Sequence, residues 1–373
     1  MKFSISKNEL YAALQIVGHA ISSTSPQPSL RGIKIDAEND HLILTGSNAD
    51  VSIQKTLEKN EENQLNIMEE GSILIEARYL NDIVRKIDSD FILVEIIDGS
   101  LTKFSGNSAV FKINGMIARD YPVIDFSKPG TCIQMNTQQL SEIIEQTTFA
   151  TSTKEQKPVL TGVNFKLSDK VLNCTATDSY RLAKKTIELD SEGEFNITIP
   201  SKSLNDVKST MLSETNEDIE IAMNNKKAQF TIKDMIFQTR LLDGVYPETD
   251  RLIPKEFKYT LKMNKDDLVH AIDRTIFIKN DNMIINRLQC TSDEVVLTNK
   301  SQEIGESIEN LVAEFTGDPL DISFSGTYVL EAIRNLKGNN LVISFTGEMK
   351  PFILKTTDDD TVLQLVLPVR TYN

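Results

Sequence analysis

The sequence predicts an α+β protein built from three tandem copies of one domain, each with two helices packed on antiparallel sheets. Three observations carry this: a threefold recurrence of one strand–turn–helix pattern, a constant offset between matching landmarks, and a strand–helix–strands second half in every copy. The recurring pattern appears as KFSISKNELYAAL, CIQMNTQQLSEII and YTLKMNKDDLVHAI, ending at Leu14, Ile144 and Ile272. Each reads as a short alternating strand, a polar turn and an amphipathic helix. Leu10, Leu14, Val17 and Ile21 share one face of the first helix. Leu140, Ile143 and Ile144 do so in the second, and Leu268, Ala271, Ile272 and Ile276 in the third. That is the i, i+3, i+4, i+7 spacing of a helix with one buried stripe. Asn8, Thr137 and Asn264 are candidate caps at the helix starts.

Leu10 and Leu140 are separated by 130 positions. The same offset relates Thr45 in LILTGSN to Thr175 in LNCTATD, and Lys55 in QKTL to Lys185 in KKTI. The second halves open with the strands SILIEA, NITIPS and DISFSG. The helices YLNDIVRKI, SLNDVKSTM and VLEAIRNLK follow, matched at Leu80, Leu204 and Leu330. Alternating strands close each copy: FILVEII and AVFKING, DIEIAMN and KAQFTIKD, NLVISFTG and PFILKTT. The Pro- and Lys-bearing stretches DFSKPGT and IPKEFK read as linkers. The expected domains are residues 1–126, 127–252 and 253–373, with roughly eight strands each. Helices that alternate with meanders, rather than with single parallel strands, favour α+β over a parallel α/β sheet.

The 373 residues carry 40 Lys+Arg against 54 Asp+Glu, a net charge of −14. That excludes a uniformly basic, DNA-coating surface, although a basic lining inside an acidic shell remains possible. The three cysteines, Cys132, Cys174 and Cys290, are far apart and form no metal-ligating cluster, as expected of thiols in a reducing cytoplasm. MKFSISKNELY turns polar too early for a signal peptide, and no apolar run is of membrane-spanning length. Neither a cofactor nor a metal is expected. GxGxxG, GxxxxGK[ST], HExxH and GxSxG are all absent, and His19, His41 and His270 stand in unrelated settings. The carboxylate runs Asp358-Asp359-Asp360 and Glu61-Glu62 read as solvated turns. A scaffold or binding ring is therefore favoured over an enzyme on a repeated scaffold. A monomeric adaptor is the third reading.

The second helix of every copy carries cations: Arg85 and Lys86, Lys202 and Lys208, Arg334 and Lys337. Solvated helix faces would account for any single one. Their recurrence points to a stripe that contacts phosphates without reading sequence.

ATDSYRLA (Ala176–Ala183), LLDGVYPETDRLIP (Leu241–Pro254) and LVLPVR (Leu365–Arg370) resemble, in order, the TDGHRLA, DGRFPDYRRVLP and VMPMR segments of bacterial DNA polymerase III beta subunits, the sliding-clamp processivity factors. The resemblance covers the whole chain. It implies three DNA-clamp domains in a head-to-tail homodimeric ring, with helices lining a hole that encloses duplex DNA. It implies no catalytic activity, and loading by a separate clamp loader that uses its own ATP. It further implies partners such as the polymerase III alpha subunit and other replication and repair proteins, which insert a short peptide with a Gln, a Leu and a Leu-Phe pair into a groove.

Carried over to this chain, the groove residues are Leu160, Thr177, Ser179, Tyr180, Arg181 and Leu182, with Pro247, Arg251 and Leu252. The third copy contributes Met349, Pro351, Leu365, Leu367, Pro368, Val369 and Arg370. The apolar members suit a Leu-Phe pair, and Arg181, Arg251 and Arg370 suit a Gln or peptide carbonyls at the rim. Plain core packing is the alternative for the apolar ones. The implied dimer contact is Phe111 and Ile113 with Phe277 and Ile278, a core position in the third copy being the alternative for one of the last two. Ser179 and Tyr180 replace the Gly-His of the signature. Ser25 stands where the family often has a DNA-contacting arginine, which shifts phosphate contact toward Lys154 and Lys157. Thr371-Tyr372-Asn373 extends past the last arginine.

Overall fold

The computed structural model describes residues 1–154, 156–191, 193–212, 216–279 and 283–370. The tail extension Thr371-Tyr372-Asn373 lies outside them. The first copy runs β1 (Lys2–Ser6), α1 (Lys7–Gly18), β2 (Gly32–Glu38), β3 (His41–Ser47), β4 (Val51–Glu58), β5 (Asn66–Glu69), β6 (Gly71–Glu76), α2 (Ala77–Lys86), β7 (Phe91–Asp98), β8 (Leu101–Gly106) and β9 (Ala109–Asn114). The second runs β10 (Thr131–Asn136), α3 (Thr137–Thr147), β11 (Gly162–Ser168), β12 (Val171–Thr177), β13 (Arg181–Glu188), β14 (Phe195–Pro200), α4 (Ser201–Met211), β15 (Asp218–Met223), β16 (Lys227–Ile232) and β17 (Met235–Arg240). The third runs β18 (Tyr259–Asn264), α5 (Lys265–Thr275), β19 (Ile285–Cys290), β20 (Val295–Ser301), β21 (Gly305–Leu311), β22 (Ala313–Thr316), β23 (Leu320–Ser325), α6 (Gly326–Arg334), β24 (Asn340–Phe345), β25 (Phe352–Thr356) and β26 (Val362–Val366).

The helices form where the sequence spacing places them. Leu10, Ala13, Leu14 and Val17 are the buried stripe of α1, and Leu268, Ala271 and Ile272 that of α5. Two details differ from expectation. Asn264 caps α5 by accepting the Asp266 N–H, but the equivalent bond at α3 comes from Asn136, one residue before Thr137, and α1 starts after Ser6 rather than at Asn8. Ile276 is 43% exposed, because α5 stops at Thr275 and the chain turns away before another apolar turn is completed.

Repeat and compact unit do not coincide. One compact unit comprises residues 1–138 and 205–241, the other 139–204 and 242–373, so the divide runs through the second copy. Strand pairing explains it. In the first unit β17 pairs antiparallel with β4, which joins half of the second copy to the first in one eight-stranded sheet, β10-β15-β16-β17-β4-β3-β2-β6. A five-stranded sheet, β5-β1-β7-β8-β9, completes that unit. In the second unit β13 pairs with β26, which builds the nine-stranded sheet β14-β11-β12-β13-β26-β25-β24-β18-β22 beside the four-stranded β21-β20-β19-β23. The strongly apolar core of the second unit gathers α5, α6 and the inner sheet faces around Phe324, Phe345 and Phe352, with ring centroids 5.3 Å and 5.8 Å apart. Gly162 opens β11 where no side chain fits: a Cβ would lie 2.5 Å from the Ile199 carbonyl oxygen and 2.6 Å from the Leu242 side chain.

Candidate functional site

Several of the candidate groove residues lie on the turn after β12 and along the last strand. Thr177 Oγ1 donates to the Arg181 carbonyl (2.6 Å) and accepts the Ser179 N–H (3.1 Å). Asp178 Oδ1 accepts the N–H groups of Tyr180 and Arg181 at 2.9 Å and 3.0 Å. These bonds hold Ser179 at φ +81°, a left-handed conformation that favours the glycine of the family signature. The repeat reproduces the turn in the first copy. Ala49 sits at φ +80°, Asn48 Oδ1 accepts from Asp50 and Val51, and Ser47 Oγ takes the role of Thr177. Side-chain bonding to the backbone thus compensates the absent glycine in both turns.

Beside this turn, Leu182 and Leu365 face each other in the β13–β26 register. With Ile353 they form a buried cluster packed by Ile253, Phe257, Leu363 and Leu367. The Leu367 N–H donates to the Tyr180 carbonyl (2.9 Å) and the Val369 N–H to that of Ser323 (2.8 Å), which places Leu367 beside the turn and Pro368 and Val369 along β23. Leu160, Leu182 and Leu365 are 3%, 2% and 3% exposed, so they are floor packing. The accessible apolar surface belongs to Tyr180 (57%), Leu252 (55%) and Met349 (51%), while Pro247, Arg251 and Arg370 are exposed and Pro351 half-buried. Tyr246, part of the Val245-Tyr246-Pro247 close of the second copy but not among the candidate groove residues, fixes the segment before Pro247: its buried hydroxyl accepts the Thr177 N–H at 3.0 Å. Burial pushes its ionisation well above the usual tyrosine range, so it stays a neutral hydroxyl.

Arg181 departs from the rim role. Its side chain is only 10% exposed. It donates to Asp178 (3.1 Å), to Glu331 and to the Phe149 carbonyl (2.6 Å), and stacks on the rings of Tyr328 and Phe149 at 4.6 Å and 5.4 Å. A guanidinium so engaged ties β13 to α6, with its donors committed within the chain.

The cationic helices carry partners the sequence did not pair. Arg85 and Lys86 both reach Asp82, at 2.8 Å and 3.6 Å. Arg334 binds both carboxylate oxygens of Asp273, at 2.9 Å and 2.6 Å, and Lys337 meets Glu142 at 2.5 Å. All four cations remain 48–62% exposed, so these are weak surface pairs that a phosphate can displace. Lys202, Lys154 and Lys157 are exposed and Lys208 is half-buried. Arg78 and Tyr79 extend the exposed face of α2, with the guanidinium 5.4 Å from the ring centre; neither stood out in the sequence because the helix stripe marks only buried positions. Ser25 is buried, and its carbonyl accepts the Arg31 Nε–H at 2.7 Å.

The dimer candidates lie on an open sheet edge in one unit and in the turn after α5 in the other. Phe111 and Ile113 belong to β9, the terminal strand of the five-stranded sheet, beside Val110, which is 56% exposed. In the other unit Phe277 is 63% exposed, but Ile278 is 3% exposed. Ile278 is therefore the one of the pair that takes the alternative core position: its N–H and carbonyl bond to Thr275 and Asn299 after α5 ends, which turns the side chain inward. Ile276 supplies the second exposed side chain instead. The sequence reading also missed β21, an open edge with Ile308 at 64% exposure and Ile304 beside it. Arg274 braces β21 against α5 through two bonds of 2.8 Å to Glu309, and holds that carboxylate below its usual range.

Among the described residues no group of His, Cys, Asp and Glu is placed to hold a metal, and no helix is long and apolar enough to cross a membrane.

Comparison with known proteins matches three family models in sequence order. They are the N-terminal, central and C-terminal domains of the DNA polymerase III beta subunit, over residues 1–125, 134–248 and 250–370. The beta sliding clamp of Bacillus subtilis is 38% identical over 379 residues, and the match covers all of both chains. The crystal structure of a DNA polymerase sliding clamp from Bacillus subtilis superposes with a TM-score of 0.96, at 37% identity and full coverage of both chains. That of the DNA polymerase III beta chain from Streptococcus pneumoniae has a TM-score of 0.95 at 34% identity, covering 99% of this chain and all of that one. The chain belongs to the DNA polymerase III beta subunit family: it is a sliding clamp of three tandem clamp domains, a non-catalytic processivity factor of DNA replication.

Proposed function

We propose that the chain closes into a ring as a head-to-tail homodimer, with the β9 edge of one protomer meeting the β21 edge of its partner. The observation that carries this is that two of the open sheet edges, β9 in one compact unit and β21 in the other, bear exposed large apolar side chains. An open apolar edge is an aggregation hazard unless a partner strand covers it. Two different edges on one chain make a heterologous contact, which gives either a closed ring or a filament. Family membership implies dimer formation, DNA encirclement and polymerase binding, and so selects the ring.

In this reading Phe111, Ile113 and Phe277, joined by Val110, Ile276 and Ile308, form the subunit contact. Arg85, Lys86, Lys154, Lys157, Lys202, Lys208, Arg334 and Lys337 face the duplex. The carboxylate partners of Arg85, Lys86, Arg334 and Lys337 keep phosphate contacts exchangeable, and contact with the backbone alone reads no sequence, so the ring can slide. The net charge of −14 repels DNA from the rest of the surface. The groove floored by Leu160, Leu182 and Leu365 takes the Leu-Phe end of a partner peptide, with Tyr180, Leu252 and Met349 at its mouth. Its ligands are the polymerase III alpha subunit, the clamp loader, and replication and repair proteins with the same motif, in the cytoplasm. The domains are residues 1–126, 127–252 and 253–373.

Reversing Lys202, Lys208 and Arg334 to Glu tests the assignment of the lining. Processive synthesis on primed DNA should fall at least severalfold while a Gln-x-Leu-x-Leu-Phe peptide binds unchanged; undiminished processivity would overturn that assignment.

A further inference from the structure

Outside the apolar groove, the second unit holds a cavity of about 230 Å³ against the solvent-facing side of strands β11 to β14. Its floor alternates along the strands. Asn164 and Lys166 of β11 neighbour Thr175 and Asn173 of β12, and Asn196 of β14 and Lys184 of β13 flank them. Every one is polar, whereas the intervening Phe165, Cys174 and Ile199 are buried on the opposite face. The roof is the irregular segment 246–250, pinned at both ends: the Tyr246 hydroxyl to the Thr177 N–H, and Asp250 to the Lys184 ammonium at 2.7 Å.

An apolar floor would have drawn this roof down onto the sheet. A floor of carboxamides and ammonium groups resists that collapse, because contact with the roof would strip water from groups it cannot replace. The floor is also organised. Asn164, itself 7% exposed, donates to the Asn196 side-chain oxygen (2.8 Å) and the Ile197 carbonyl (3.1 Å), and the Asn173 oxygen accepts the Thr186 hydroxyl at 3.0 Å. Two lysines are balanced by Glu248 and Asp250, so the cavity has no surplus charge with which to hold a phosphate. Side chains that both donate and accept suit a polar peptide segment: main-chain amides with Asn, Gln or Asp side chains.

Pro247 belongs to both this cavity and the candidate groove, and Arg251 and Leu252 continue directly from the roof. We infer that the cavity is a polar annex of the groove and takes the hydrophilic residues that flank the short apolar motif of a partner. This rests on the groove reading above. It makes flanking sequence a source of ranking among partners whose apolar motifs are alike.

The test uses the full-length protein and three synthetic peptides in fluorescence anisotropy. One is Gln-Ser-Leu-Ser-Leu-Phe, and the others extend it by Asn-Gln-Asp at the N- or the C-terminus. One extended peptide should bind about threefold to tenfold more tightly than the short one, the effect of one or two added hydrogen bonds. The gain should vanish in the Lys166→Ala/Asn196→Ala double variant, whose two altered side chains are exposed and whose affinity for the short peptide should be unchanged. If neither extension adds affinity, or the gain survives in the double variant, the annex is overturned while the groove stands. If the short peptide fails to bind the unmodified protein, the groove reading falls and the annex with it.

Discussion

Replacing Phe277 separates subunit contact from fold. The side chain is 63% exposed in the protomer, so little of its packing within its own unit is at stake. A phenylalanine buries about 150–250 Å² when fully covered, which leaves on the order of 100–150 Å² for a partner to cover. At about 25 cal/mol per Å², truncation to Ala removes about 3 kcal/mol from each contact. A head-to-tail ring contains the contact twice, and both copies break when the dimer dissociates. The loss is then about 6 kcal/mol, or roughly four orders of magnitude in the dimer constant. Phe277→Asp adds the cost of desolvating a carboxylate and should leave only monomer at micromolar concentration. Light scattering across a dilution series reads this directly. Ile278→Ala is the control: 3% exposed, it should lower the unfolding free energy by about 2–4 kcal/mol without shifting the dimer constant of the folded protein. An unchanged dimer constant in Phe277→Asp would refute the placement of the turn after α5 in the contact.

Three further outcomes follow from the same geometry. Arg181→Ala should destabilise the second unit by about 2–4 kcal/mol in urea denaturation, below the full value of a buried pair because Glu331 is 41% exposed; an unshifted midpoint would show that the guanidinium cluster is incidental. Ser179→Gly should stabilise by about 0.5–1 kcal/mol, since relief of the left-handed φ outweighs the added backbone freedom, and any destabilisation would contradict this account of the turn. The hydrogen bonds and charge of Arg274 hold Glu309 below 4.5, so its contribution is fully present above that pH and is lost as pH falls through the depressed folded value. Between neutrality and about pH 3.5 the protein should lose more stability than the Glu309→Gln variant, and parallel losses would exclude the pair as a contributor.

Much of the fold could be read from the sequence because the repeat states each element three times. The buried stripes at Leu10, Leu140 and Leu268 survive comparison across copies, and the offset that pairs Thr45 with Thr175 is realised as equivalent turns at Ala49 and Ser179. What escaped depends on where the chain goes next. Phe277 and Ile278 are indistinguishable as neighbours in a sequence, and only the turn after α5 sends one outward and the other into the core. β21 was missed because GESIENL alternates on an open edge, where strand periodicity has no buried face to mark it. Arg181 and Arg334 have the composition of ligand-binding cations, yet their partners Glu331 and Asp273 lie 150 and 61 residues away and are set by packing alone. The boundary of the compact units was illegible for a similar reason. It follows from two strand pairings, β17 with β4 and β13 with β26, that no local pattern encodes.

A clamp of this family holds DNA topologically, by surrounding it. The protein should be loaded onto nicked circular DNA with a bacterial clamp loader and ATP, separated from unbound material and followed by gel filtration. Retention on circles, with prompt release when a restriction enzyme linearises them, is the predicted result. Equal retention on circular and linear DNA would mean that the protein binds the duplex surface, and would contradict the ring.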